Sequence, residues 1–128
     1  EAIRAYKLAA YTATLKKEKH VIIAGLFLRI AWLYRLQEKS QEQRFLNLAY
    51  SNYYESFSRE NYRGTQISEV RLLYLLGEVA RRTDREETAI HYFSKVIESR
   101  KKTVETKLIE MAQDQWKKIK EERKNRVL

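Results

Sequence analysis

Apolar positions recur with a helical period along nearly the whole chain. In EAIRAYKLAAYTATLKK (1–17), Ala2, Tyr6, Ala9 and Ala13 fall on one stripe, which predicts a first helix. A second helix is predicted at about 20–37, where VIIAGLFLRIAWLY is apolar nearly all round, the pattern of a helix in the middle of a bundle. Ser40 with Gln43 three residues on is a capping-box signal and opens a third helix at about 40–60. ENYRGTQ (60–66) predicts a loop, with Gly64 as the helix terminator. A fourth helix follows at about 67–82. TDREE (83–87) holds two overlapping capping boxes, Thr83 with Glu86 and Asp84 with Glu87, which open a fifth helix reaching about 100. After SRKKT a sixth runs from about 104 into KKIKEERKNR. The break between the first two helices, KEKH (17–20), carries neither glycine nor proline.

Short connections between six helices favour antiparallel neighbours. Gly77 sits inside the fourth helix, where glycine costs about 1 kcal/mol relative to alanine. A close helix contact can offset that cost: Gly77 would meet Ala89 of the fifth helix, with Leu73, Leu76 and Phe93 filling the flanks. Leu73, Leu76, Gly77, Ala80, Ala89, Phe93 and Val96 resemble the signature of the tetratricopeptide repeat (TPR), a helix–turn–helix unit. Ala80 stands where that family usually has tyrosine and Lys101 where it usually has proline. A weaker copy lies upstream, at Phe27, Ile30, Ala31 and Tyr34 and then Ala49, Tyr53 and Ser56. Its Ala31–Ala49 offset is 18 rather than 12, an insertion of six residues. Half copies fall at Ala2, Tyr6 and Ala9 and at Leu108, Met111 and Ala112. The resemblance implies an all-α fold of about six helices, with antiparallel hairpins stacked as a short right-handed TPR-like solenoid. In that reading the single domain 1–128 comprises a half hairpin (1–18), repeats at 20–60 and 66–100, and a capping helix at 103–124.

The chain also resembles a bacterial family of unknown function, through IAGLFLRIAWLYR (23–35), EVRLLYLLGEVARR (69–82), AIHYFSKVIESR (89–100) and MAQDQWKKIKEE (111–122). The resemblance implies that these stretches correspond to the helical C-terminal half, preceded in family members by a cysteine-rich segment that this sequence lacks. It implies no known activity.

Composition narrows the function classes. Without cysteine there is no disulfide, thiolate zinc site or cysteine nucleophile in the sequence, and a reducing, cytoplasmic setting is expected. No proline and three glycines fit an all-helical chain. No apolar run reaches the roughly 18 residues of a membrane span. The chain opens on Glu1, and a piece of a longer protein is expected. A net charge of +9 points to an anionic partner (acidic protein, nucleic acid or a membrane surface) or to a solvated surface with a basic bias.

Catalytic patterns are missing. His20 and His91 lack the i,i+4 pairing of a helical metal site, His20 reading as a helix start and His91 as a surface residue. The glycines form no phosphate loop, and Glu86–Glu87 and Glu121–Glu122 are adjacent pairs that diverge on a helix. No enzyme activity, metal or cofactor is expected. Tyr50, Tyr53, Tyr54 and Phe57 are spaced for packing between hairpins, though tyrosine beside arginine could also stack bases.

What is expected is a protein-binding, scaffold-like module. On the repeat offsets, the first helix of each hairpin lines a groove and presents Leu28, Arg29, Trp32 and Arg35, then Arg71, Tyr74, Glu78 and Arg81. The last helix adds Ile109, Gln113 and Trp116. Arginine offers paired donors to carboxylates and the aromatics rigid contact area, so the partner would be an acidic peptide or helix. The alternative is a buried Trp32 with arginines that only solvate the face. Nucleic-acid binding through the basic tail Lys117–Arg126 is a second reading, and self-association a third. A homodimer through the apolar first helix (Ile3, Tyr6, Leu8, Tyr11) is expected.

Overall fold

The computed structural model describes residues 1–99 and 105–127. Lys101 and most of SRKKT, and the predicted start of the last helix at 103–104, lie outside them. Among the described residues there are six helices and no strand: α1 (Ala2–Leu15), α2 (His20–Tyr34), α3 (Lys39–Ser58), α4 (Glu69–Arg82), α5 (Glu86–Glu98) and α6 (Thr106–Val127). The all-helical expectation holds. Two compact units divide the chain, Glu1–Ile67 with α1–α3 and Ser68–Leu128 with α4–α6.

The helix ends correct several expectations. Ser40 is not a cap, because α3 starts one residue earlier and its N-cap, Glu38, makes no side-chain cap bond. Nor do Thr83 and Asp84 cap α5, whose N-cap is Arg85. Three helices instead end with a non-glycine residue in the left-handed region: Lys17 (φ 54°), Glu60 (φ 55°) and Asp84 (φ 58°). The following amide then reaches back five residues, Glu18 N to Ala13 O, Asn61 N to Ser56 O and Arg85 N to Ala80 O. This is the C-terminal closure usually built on glycine. Gly64 (φ 84°) belongs to the next turn and does not end α3. Ser68 is the N-cap of α4, and its hydroxyl accepts from the Arg71 amide at 3.2 Å.

In the first unit α2 packs against both α1 and α3, as its all-round apolar pattern requires. Ala24 and Ala31 on α2, and Ala49 and Ser56 on α3, are all buried and seven residues apart on their helices. Small residues at that spacing let two backbones approach. Phe45 packs beside Phe27 and Tyr34, with ring centroids 6.0 and 5.8 Å away. The predicted stripe on α1 is shifted: Ala10 and Ala13 are buried, while Ala2 and Ala9 are exposed. The Lys7 ammonium lies over the rings of Tyr34 and Phe45, so the stripe runs through a lysine stem that an apolar count passes over. The longer Ala31–Ala49 offset falls mostly within α3. Ala49 lies ten residues after the start of α3, and Ala89 three after the start of α5.

Ser56 is fully buried and its hydroxyl has no hydrogen-bond partner among the described residues. An unpaired buried hydroxyl costs about 1–3 kcal/mol, so Ser56→Ala raises stability by roughly 1 kcal/mol in urea melts, whereas unchanged or lower stability would show that the hydroxyl is satisfied.

In the second unit α6 packs against both members of the α4–α5 hairpin. Leu72, Leu76 and Val79 of α4, Ala89, Phe93 and Val96 of α5, and Ala112 and Ile119 of α6 form its core. Gly77 does face the hairpin contact, but not as expected. A Cβ there would fall 2.6 Å from Cε1 of Phe93, and its three nearest atoms all belong to that ring. The space glycine leaves is filled by Phe93, not Ala89.

Candidate partner-binding surface

The α2 face stands apart from the rest of the first unit. α2, with no acid in its sequence, presents Arg29 and Trp32 to solvent, and Arg35 at its C-cap is exposed beside them. Trp32 is 65% exposed, which removes the buried alternative. Trp32, Leu28 and Arg29 border a groove of about 880 Å3, with Ile22, Gly25 and Leu26 along the same wall. Tyr53 of α3 and residues 64–67 line it as well. Lys19 also borders it and holds the 64–67 turn, its ammonium donating to the Arg63 carbonyl at 2.8 Å. One Arg29 nitrogen donates to the Gly25 carbonyl at 3.2 Å, which aligns the guanidinium along the helix. Among the described residues neither Arg29 nor Arg35 has a carboxylate within ion-pair distance. His20 opens α2, as expected, and its Nδ1 lies 3.1 Å from Asn52 Oδ1 of α3.

The α4 half of the predicted groove has a different environment. Arg71 lies 3.7 Å from Glu105, Arg81 bonds Glu122 of α6 at 3.0 Å, and Glu78 takes Arg82 at 2.8 Å. The expectation of one acid, Glu78, among free arginines missed Glu105, which directly precedes α6, and Glu122 on α6. Tyr74 is 4% exposed and packs against Phe93, ring centroids 5.7 Å apart. Burial pushes its hydroxyl up to about 12, helped by the Glu78 carboxylate and opposed by a hydrogen bond from Gln115 and by Arg82 and Arg81. Arg71, Tyr74 and Glu78 line a cleft of about 530 Å3 with Glu105 and Met111. Ile109 is buried in the core, while Gln113 and Trp116 face α5 across a shallow cleft with Ile97.

Sequence reasoning missed an ionic clamp on α6. Arg123 bonds Glu86 at 2.9 Å and also Glu87, and Arg126 takes both Glu86 oxygens at 2.8 Å. The hydrogen bonds from Arg126 and Arg123 hold the Glu86 carboxyl below the usual carboxylate range. These glutamates also occupy the first turn of α5, where the helix dipole favours an anion. Nothing in local spacing joins residues about 40 apart. Elsewhere, Tyr53 is buried, Tyr54 exposed and Tyr50 half-buried, and His91 is exposed beside Tyr92. On α1, Leu8, Tyr11 and Leu15 are exposed. Among the described residues no cluster of three or more histidines or acids could hold a metal ion, and no helix is long and apolar enough to cross a membrane.

The family model described as an uncharacterized protein conserved in bacteria (DUF2225) matches residues 1–119. The chain belongs to this family. No curated protein and no solved structure matches it. The DUF2225 match spans α1 to α5 and most of α6, covering the whole first unit and the second up to residue 119.

Proposed function

We propose that this DUF2225 chain is a non-catalytic, TPR-like interaction module that holds a peptide or partner helix on the α2 face. The observation that carries the reading is Trp32, 65% exposed at the edge of a preformed groove beside Arg29, which has no carboxylate partner among the described residues. Exposing an indole to water is unfavourable, and tryptophan and arginine together are the residues that dominate interface energetics. The α4 arginines contribute less, since Glu105 and Glu122 already hold them. Alanine at Arg71 and Arg81 would therefore loosen α6 as well as any bound partner, and the α2 face is the cleaner place to test.

A photo-crosslinking phenylalanine derivative in place of Trp32, in the full-length protein in its own cells, is expected to give protein adducts on irradiation. The same replacement at the exposed Lys118 of α6 is expected to give none. Adducts that vanish with nuclease, or equal labelling at both positions, would overturn the reading.

A further inference from the structure

The groove's lining says what shape of partner it can take. Its α2 wall runs from Val21 to Trp32, roughly 16 Å at about 1.5 Å per residue. That wall is aliphatic and aromatic apart from Arg29, with Val21, Ile22, Leu26, Leu28 and Trp32 along it. An extended peptide placed there would bury amides with few groups to bond them, and the first unit has no sheet edge onto which a strand could add. A helix satisfies its own amides and offers an apolar stripe. The charges select further: Lys19 and Arg29 stand ten residues apart along the groove, against one acid in its lining, Glu18.

We infer that the groove takes an amphipathic helix of about three turns, its apolar stripe edged by carboxylates that meet Lys19 and Arg29, with one large apolar side chain against Trp32. This rests on the interaction-module reading and adds the partner's conformation and charge. A second copy of this chain fits poorly, because each copy carries +9. A flat anionic lipid surface would meet Trp32 but leave a concave groove unfilled.

The test selects a displayed library of random 16-residue peptides against the whole chain, with counter-selection against Trp32→Ala and Arg29→Glu. Enriched peptides are expected to carry apolar residues at i, i+3 or i+4 and i+7 beside acids, and to turn helical on binding by circular dichroism. Trp32→Ala should weaken them about thirtyfold and Arg29→Glu about tenfold or more. Enrichment of proline-containing or basic peptides that still depend on Trp32 would overturn the helix inference and leave the module reading standing. If no peptide distinguishes wild type from the variants, both fall. Binding to phosphatidylserine vesicles but to no peptide would reassign the face to a membrane surface and overturn both.

Discussion

Phe93→Ala is expected to cost about 3–5 kcal/mol, measured as a shift in the denaturation of the α4–α6 unit. Phe93 is fully buried, packs against Tyr74 and fills the hollow that Gly77 leaves, so truncation opens a cavity the surrounding helices cannot easily close. Gly77 supplies the sharper half of the test. In an open helix Gly77→Ala would gain about 1 kcal/mol from helix propensity. Here the new methyl would sit 2.6 Å from a ring with no free space to move into, so destabilisation is expected instead. Gly77→Leu overpacks the same contact by roughly 1–3 kcal/mol or more. Phe93→Leu should partly rescue Gly77→Ala, giving a coupling that a double-mutant cycle reads directly. A stabilising Gly77→Ala would mean that the ring does not occupy this site.

The second large effect is alkaline. The hydroxyl of Tyr74 titrates near 12 in the folded protein, against about 10 in an unfolded chain, because burial and the Glu78 carboxylate disfavour the phenolate. With the folded value raised, the contribution is fully present below pH 10, is lost between about pH 10 and 12, and is gone above that window. Two units correspond to roughly 2–3 kcal/mol. Wild type should therefore lose up to this much more stability than Tyr74→Phe on going from pH 9.5 to 12, since lysines and the other tyrosines titrate in both proteins. Parallel stability–pH curves would show that the hydroxyl is solvated.

Element type was legible because each helix carries its own period. The amphipathic pattern of α4, the all-apolar α2 and the Gly77–Phe93 offset could be recognised locally, and the six helices follow. Boundaries were harder to read where the chain used lysine or glutamate in the left-handed region, because those residues carry no turn signal, and at Asp84, whose signal reads equally as an N-cap. Ser40, Thr83 and Asp84 carried a capping signal, yet α3 and α5 start behind Glu38 and Arg85, which make no side-chain cap bond.

The candidate surface divides along the same line. That Arg29, Trp32 and Arg35 share a helix face follows from their spacing of three, which periodicity alone fixes. Periodicity could not decide whether Trp32 was buried, since an apolar all-round helix has no distinguishable outer face; packing against α1 and α3 settled it. The state of the α4 arginines depended on Glu105, just before α6, and Glu122, on α6, reaching them across 34 and 41 residues. The sequence determined the helices and the absence of cysteine chemistry. Tertiary structure decided which charges met across helices, as in Arg81–Glu122 and Arg123–Glu86, because such pairing depends on distance in space and helical spacing reports only the nearest turn.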